Sequence, residues 1–536
     1  MNSHIEQLGD PPRAALASTD TPQLLSAERM LMPIVFVGGM SSIGIELATS
    51  RLLAPYFGTS TFIWANLIGL TLAYLALGYY LGGRLADRYP SVRVLYSVTA
   101  LAGFAAATIP FLARPVLRAS LGAIDNVDAG AFYGSLIGVI ILLAVPVTLF
   151  GFVTPFAIRL RATDIDSAGS NAGRVWALST IGSIVGSFLP TLLLIPLVGT
   201  RNTFLIMALL VIVISGIGLF SMPAPRMGLG ALLLAGLVLL LNVTVGATPI
   251  KPPYRGELVA EAESAYHYIQ VLNENGVMLL ALNEGHAIHS IFDPATPLTG
   301  GPWDYFTIAP LFLENAPPIE RGLIIGLAGG TAARTVLDTY GGAHIDGVEI
   351  DAEIVEYGKQ YFALDDPRIS VAIEDGRYFL QTSSQHWDLI GIDAYRQPYI
   401  PFHLTTSEFF EETASHLTSS GVVVVNAGRN GSDYRLVDAI ASTMLDVFPH
   451  VFLVDTREYD NTLIFGTFAE ASVDDFWSNA LALDPAGNQA IIASGAMTYG
   501  NIRVAEQTIE PYTDDHAPVE WLIDRMIVDA AREEDT

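Results

Sequence analysis

Gly322-Leu323-Ile324-Ile325-Gly326-Leu327-Ala328-Gly329-Gly330-Thr331 decides how the second half of this chain is read. The apolar run from Gly322 to Gly326 has the length of a short buried strand, and the glycines after it make a tight turn. Ala332 to Tyr340 then reads as a helix, so the stretch opens a strand–turn–helix unit. The same alternation continues downstream. His344 to Ile350, Ile369 to Ile373, Trp387 to Asp393 and Gly421 to Asn426 are predicted strands. Glu353 to Phe362, Gly376 to Thr382 and Thr406 to Thr418 are predicted helices between them. Strands alternating with helices imply an α/β, doubly wound, Rossmann-like parallel sheet, whose ligands bind beyond the carboxyl ends of the strands. Upstream, Tyr266 to Val271 and Val277 to Leu282 flank Asn273-Glu274-Asn275-Gly276, the signature of a β-hairpin.

Chemistry-bearing residues fall at those strand ends. Gly326, Gly329 and Gly330 allow backbone to approach a ligand beside the N–H groups of a helix start, although a tight turn needs glycines in any case. Glu349 ends the second strand 23 residues after Gly326, where an acid can accept both hydroxyls of a ribose. Asp375 and Gly376 follow the third strand, and Asp393 ends the fourth. Three acids on three successive strand ends are a stronger signal than the glycines alone. The Gly-rich turn carries no basic residue, which argues against a 2′-phosphate and against a P-loop. An adenosine without phosphates fits better.

The first half differs in kind. Met1 to Ala247 holds 13 arginines, no lysine and 10 acids, a net charge of +3, whereas Thr248 to Thr536 carries a net −30. So acidic a half repels phosphate backbones, and nucleic acid is not an expected partner. The chain has no cysteine, which removes disulfides, thiolate nucleophiles and Cys-ligated metals. No zinc-type His-Glu-x-x-His run occurs, and no metal is expected, although Thr513-Asp514-Asp515-His516 gathers acids and a histidine. Residues 1–27 read as a disordered polar tail without the pattern of a cleaved signal peptide. Residues 28–247 read as a multi-span α-helical membrane domain of about seven spans, near 31–50, 61–82, 92–112, 131–157, 175–198, 203–221 and 228–247. Gly78 with Gly82, and Gly182 with Gly186, have the four-residue spacing that lets helices pack closely in lipid. Glu46 lies deep in the first span with Arg51 near its end, either a functional acid or an intrahelical ion pair. Gly82 to Arg88 resembles the charged turn after the second helix of major facilitator transporters. After a Pro-bounded linker, 254–320 reads as an N-terminal β-region and 321–536 as the α/β domain.

Here a resemblance becomes specific. Gly322 to Val425 resembles the catalytic core of spermidine synthases and related aminopropyltransferases, within the S-adenosylmethionine-dependent methyltransferase fold. It rests on Leu323 to Gly326, Val348-Glu349-Ile350-Asp351, Asp366-Pro367-Arg368-Ile369 and Glu374-Asp375-Gly376, with Glu263 to Ile269 similar to the family's N-terminal hairpin. The whole chain resembles bacterial multi-span proteins fused to such a domain. The resemblance implies S-adenosylmethionine or its decarboxylated form as the substrate. It also implies that Glu349 holds the ribose, that Asp375 holds the adenine amine, and that the Gly-rich turn passes the sulfonium.

Three departures bear on chemistry. Where the family carries an Asp for the aminopropyl arm, this chain has Gly329. Where it carries a second Asp three residues beyond the fourth-strand Asp393, this chain has Arg396. Where it has Gln in the hairpin, this chain has His267. Two acids lost and an arginine gained disfavour a polycationic acceptor and favour a carboxylate, unless Arg396 turns away to a surface acid. The expected catalytic residues are Asp393, Arg396, Tyr395 and Asp304, the last in the covering stretch Trp303-Asp304-Tyr305-Phe306. The expected ligand-binding residues are Gly326, Gly329, Gly330, Glu349, Asp375, Gly376, Asp393 and His267. The expected activity is cleavage of the alkyl arm with release of methylthioadenosine and without a polyamine acceptor, by cyclisation or a lyase-type step. The alternatives are polyamine aminopropyl transfer and a nucleoside sensor regulating a transporter-like bundle. The expected partners are a small-molecule nucleoside substrate and the lipid bilayer, with a homodimer left open. The expected location is the cell (inner) membrane with the soluble half cytoplasmic. The arginines at 84–93 and 159–174 pull the other way, because seven spans would deliver the acidic half outside.

Overall fold

The computed structural model describes residues 29–58, 61–122, 127–162, 165–222, 226–245, 248–283, 287–395 and 399–533. The tail expected at 1–27 and the arginine at 396 lie outside them. The first half is a bundle of long apolar helices: α1 (Leu31–Phe57), α2 (Thr61–Arg88), α3 (Val92–Gly122), α4 (Val127–Gly151), the short α5 (Val153–Arg161), α6 (Ile165–Leu189), α7 (Ile195–Phe220) and α8 (Arg226–Val245). Among the described residues six helical stretches are long and apolar enough to cross a membrane, counting Ser167–Phe220 as one of 54 residues. A helix of that length would run about 80 Å, far beyond a hydrocarbon core of about 30 Å. It is in fact broken: a π-helical turn occupies Pro190–Leu194, and Gly199 has φ +79°. The stretch is therefore two rods, and the apolar helices divide into seven rods.

Their packing explains the small-residue spacing. A Cβ on Gly182 would lie 2.1 Å from the Phe36 carbonyl oxygen, and one on Gly186 would lie 2.1 Å from that of Met40. Only hydrogen at both positions lets α6 lie against α1. Gly78 meets Thr148 in the same way, joining α2 to α4. The charged turn at the end of α2 is anchored by an exposed Asp87–Arg159 pair at 3.0 Å. Arg51 reaches out of the bundle and donates to the Ala265 carbonyl of the soluble half.

The soluble half opens with an antiparallel sheet in the order β1 (Glu257–Glu263), β2 (Tyr268–Glu274), β3 (Val277–Leu282) and β4 (Ile288–Phe292). A 3₁₀ segment, Pro302–Phe312, leads into the α/β sheet. Its strands are β5 (Arg321–Ile325), β6 (His344–Val348), β7 (Ile369–Ala372), β8 (Trp387–Ile392), β9 (Leu417–Gly428), β10 (His450–Asp455), β11 (Asn461–Thr467) and β12 (Ile502–Val504). The helices between them are α9 (Thr331–Thr339), α10 (Ala352–Tyr361), α11 (Gly376–Thr382), α12 (Ser407–Ser415), α13 (Arg435–Leu445), α14 (Val473–Ala482) and α15 (Gln489–Met497), and α16 (Val519–Glu533) closes the chain. The order across the sheet is β12-β10-β11-β9-β8-β5-β6-β7. Strands β7, β6, β5, β8 and β9 are mutually parallel, and β11 is antiparallel to both β9 and β10. This is the Rossmann-like, methyltransferase-type fold expected from the sequence.

The two halves meet at specific groups. The carboxylate of Glu263, at the end of β1, accepts from the Thr200 backbone N–H at 2.8 Å and so caps α7 where Gly199 breaks the helix. The Tyr56 hydroxyl donates to the Ile250 carbonyl at 2.8 Å, and α16 packs on α4.

A methyl group at the α1–α6 contact tests the packing. Gly186→Ala is expected to destabilise the bundle by about 1–3 kcal/mol, the scale of overpacking a tight interface. Thermal unfolding in detergent should show a lower Tm than for Gly230→Ala, a site with open space around it. Equal Tm values would mean that α1 and α6 are not in close contact.

Candidate active site

The strand order reverses between β5 and β8, and a cleft of about 1550 Å³ opens beyond their carboxyl ends. Gly326 sits where the two strands part, with φ +85°. A Cβ there would lie 2.5 Å from the Asp393 carbonyl oxygen, so any side chain would push the strand ends apart. The Gly326 and Leu327 N–H groups both donate to the Val348 carbonyl, at 2.9 and 3.0 Å, which folds the turn over the end of β6.

Of the residues expected in the site, His267, Gly326, Glu349, Asp375, Gly376, Asp393 and Tyr395 line this one cleft. Glu349 is only 7 % exposed. Its carboxylate accepts from the Ala328 N–H at 2.9 Å and the Asp351 N–H at 3.1 Å, which orients it, and burial pushes its pKa up. Each carboxylate oxygen retains a second lone pair for a ligand hydroxyl. Asp375 caps α11, one oxygen accepting from the Arg377 and Tyr378 N–H groups at 3.0 and 3.1 Å. Its other oxygen pairs with His403 Nε2 at 3.1 Å, and that hydrogen bond holds its carboxyl below the usual range.

Asp393 is the most constrained acid. One oxygen accepts from Asn426 Nδ2 at 2.8 Å, the other from Trp303 Nε1 at 3.0 Å. Burial outweighs both donors and pushes its pKa up to about 7. Tyr395 donates its hydroxyl to the Asn426 carbonyl at 2.6 Å and accepts from the Gly428 N–H at 2.7 Å. Its ring is thus tied to β9, and burial raises its pKa. His267 Nδ1 pairs with Asp351 at 2.9 Å, which fixes the ring at the cleft wall.

Two expectations need correction. Asp304 is fully buried and absent from the cleft lining. Its carboxylate instead holds the Thr299–Gly300 turn, through the Thr299 hydroxyl and N–H at 2.9 and 3.1 Å and the Gly300 N–H at 2.8 Å. Gly329 and Gly330 also stay out of the lining. Gly329 N–H donates to Ser290 at 2.8 Å, and a Cβ at Gly329 would meet Phe362 and Ser290 at 3.0 Å. The acids near Thr513 form a clamp: Asp514 pairs with Arg377, at 2.7 and 2.8 Å, and Arg377 also holds Glu412. Among the described residues no three metal-ligating side chains gather.

Other contributors were not singled out. Asn426 ends a recognised strand, and strand-end position was the signal that could have found it. Trp303 lies in the covering stretch, and its indole N–H, rather than the neighbouring acid, reaches Asp393. His289, across from His267, lines the cleft and is pushed down to about 4, chiefly by burial, so it stands neutral at ordinary pH.

Comparison with known proteins agrees with this geometry. Residues 307–475 match the family model of the spermine/spermidine synthase domain. That match lies wholly within the C-terminal half of the chain. A probable polyamine aminopropyl transferase of Bifidobacterium longum (strain NCC 2705) is 31 % identical over 294 residues, covering 51 % of this chain and 65 % of that protein. A polyamine aminopropyltransferase of Vibrio vulnificus (strain CMCP6) is 32 % identical over 199 residues, covering 36 % of this chain and 65 % of its own length. The chain thus spans just under two thirds of these curated relatives. A probable spermidine synthase from Corynebacterium glutamicum aligns with 49 % of this chain and 98 % of its own, at 21 % identity and TM-score 0.35. The matched residues 307–475 lie beyond the linker, and the helices from Leu31 to Val245 lie outside them.

Two outcomes follow from the acids. Glu349→Ala and Asp375→Ala should each weaken binding of an adenosine-type ligand by about 1–3 kcal/mol, read by calorimetry. Asp375→Asn keeps a good helix cap and so separates ligand loss from the roughly 1 kcal/mol of a lost cap. Unchanged affinity in both alanine variants would remove the site assignment. The second outcome concerns Asp393. Its pKa in the fold exceeds the ordinary aspartate value, so its proton stabilises the fold below about pH 4, a contribution lost as pH rises through about 7. An infrared titration of the protonated-carboxyl band, identified by its loss in Asp393→Asn, should show a midpoint near 7. Trp303→Phe removes a donor to the ionised form and should move it up. A wild-type midpoint below about 5 would contradict the buried setting.

Proposed function

We propose that this is a membrane-bound enzyme that binds S-adenosylmethionine, or its decarboxylated form, and cleaves the alkyl arm to release methylthioadenosine without a classical polyamine acceptor. The observation that carries the reading is the cleft in which Glu349, Asp375 and Asp393 converge, together with the loss from the sequence of the two acids that the related enzymes use for the arm and the amine. The position of the aminopropyl-holding Asp reads Gly329, and a side chain there would meet Phe362 and Ser290. Arg396 enters through its place in the sequence, three residues after Asp393. Glu349 orients the ribose, and Asp375 with the Gly376 backbone faces the base. The sulfonium is already a good leaving group, so positioning and exclusion of water supply most of the rate. When the C–S bond breaks, its electron pair stays on sulfur, and methylthioadenosine leaves as a neutral thioether. Asp393, ionised above about pH 7, is the group that takes a proton from the attacking or departing arm.

A second reading is polyamine aminopropyl transfer, favoured by the names of the relatives that match this domain. The two part on charge. With Gly329 and Arg396 in place of acids, S-adenosylmethionine is expected to bind ten- to a hundredfold more tightly than its decarboxylated form, about 1.5–3 kcal/mol for a charge-assisted bond to the carboxylate. Arg396→Ala should erase most of that preference while leaving methylthioadenosine affinity unchanged, since the product lacks the arm. Incubation with each sulfonium, with and without amines, followed by mass spectrometry reads the outcome. Tighter binding of the decarboxylated form with turnover only on added putrescine would establish a membrane-tethered polyamine synthase. Binding with no methylthioadenosine at all would favour a sensor.

The soluble half is proposed to face the cytoplasm, where adenosyl sulfonium compounds are made. Against this, the arginines of the 84–93 and 159–174 segments sit a helix length away from the Arg51 end that meets the soluble half, and positive-inside bias favours that remote end for the cytoplasm. Protease added to intact cells decides: removal of the C-terminal half would place it outside.

A further inference from the structure

The cleft is larger than a nucleoside sulfonium needs. At about 1550 Å³ it exceeds the roughly 300–1,000 Å³ of sites for drug-sized ligands. Beyond Asp393 it continues along an apolar wall made by Tyr399, Leu404, Leu436, Ile523 and Met526, which belong to one buried cluster. Two of these stand on α16, the helix that packs against α4 of the bundle. On the hairpin side, Ala265 lines the cleft while its carbonyl accepts from Arg51 of α1. Both walls therefore rest on the end of the bundle. Tyr266 and Phe402 line the cleft yet are 44 % and 48 % exposed, and Trp521 of α16 is 58 % exposed, aromatic groups of the kind that sit at a membrane–water boundary. Among the charged residues of the lining acids predominate: eight carboxylic acids, with Glu349, Glu374, Asp375, Asp393 and Glu520 among them, against the two arginines Arg255 and Arg429.

We propose that the apolar wall receives the hydrocarbon chain of a membrane lipid with a primary-amine head, and that this amine is the acceptor of the alkyl arm. The inference rests on the sulfonium reading above and names the acceptor that reading leaves open. The bilayer presents the chain at the end of the bundle, the wall of α16 receives it, and the acidic lining favours a cationic head over an anionic one. The step balances without a further reagent. The bound ammonium first gives one proton to the Asp393 carboxylate; the freed lone pair then forms an N–C bond to the carbon next to sulfur, the C–S bond breaks with its pair going to sulfur, and the product leaves as a secondary ammonium. A water-soluble diamine would leave the apolar wall uncovered.

The full chain in phosphatidylcholine nanodiscs, given either sulfonium and primary alkylamines from butylamine to dodecylamine, tests this. Methylthioadenosine release and the mass of the alkylated amine are both followed. The expected result is an adduct whose kcat/KM rises about fourfold for each methylene that enters the apolar arm. Partition into the disc alone would also favour long chains, so the ratio of dodecylamine to butylamine rates is compared in Met526→Gln and Ile523→Asn, where it should fall at least tenfold. A ratio unchanged in Met526→Gln, the milder variant, overturns the assignment of the arm. Methylthioadenosine without an amine adduct, or best turnover with putrescine, overturns the lipid acceptor while leaving sulfonium cleavage intact. If no methylthioadenosine forms, the sulfonium reading fails. Calorimetry of the same amines on protein saturated with methylthioadenosine then decides the arm, and affinity independent of chain length overturns it.

Discussion

The touching of two strand ends governs the soluble half. Gly326 lies against the Asp393–Ala394 backbone, with no room for a Cβ between them. Because β5 and β8 are neighbours whose onward chains leave in opposite directions, that contact is the floor of the cleft. From it the Gly-rich turn bends toward Glu349, while the chain after β8 bends toward Tyr395 and β9. The acids converge because they end adjacent strands of one sheet. Each is then oriented by a different partner: backbone N–H groups for Glu349, a helix start and His403 for Asp375, Trp303 and Asn426 for Asp393. The same depth of burial that raises the Asp393 pKa makes it usable as a proton acceptor near neutrality.

The bundle obeys a different constraint, since in lipid every backbone polar group must be satisfied from within. Long unbroken helices and glycine contacts meet that demand almost everywhere. One break is the junction at Gly199, where a new helix begins and its first N–H groups lack intrahelical partners. A carboxylate from the soluble half supplies one acceptor there.

Much of this architecture was legible from the residues. The strands Val277–Leu282 and the helix Gly376–Thr382 fall where the pattern put them, and β5, β6, β7 and β8 differ from expectation by one or two residues at their ends. Short apolar runs between glycines and capping acids leave little freedom. The antiparallel strands β10 to β12 were not read, because beyond Asn426 no motif punctuates the sequence. In the site, residues at strand ends were found because position along the strand fixes where they point. Asp304 misled because an acid beside an aromatic says nothing of its hydrogen bonds, and here Thr299 and Gly300 consume them. The Gly-rich turn misled more subtly. Only Gly326 and Ala328 border the cleft, since the turn rolls Gly329 and Gly330 under β4 and Leu364.

The cap that Glu263 places on α7 has a mechanical side. Its chain neighbour Ser264 hydrogen-bonds Asp351 and receives the His267 N–H at 2.8 Å, so adjacent residues of one tight turn are anchored in different halves. A turn pinned at both ends cannot pivot freely, and any torque on the broken helix is delivered to the imidazole wall of the cleft. The linker at Pro249 to Pro253 is therefore not the joint between the halves. The bundle grips the other half by its hairpin, as a vice grips a blade near the edge, and the Glu263 carboxylate is one of the links through which a tilt of α7 would reach it.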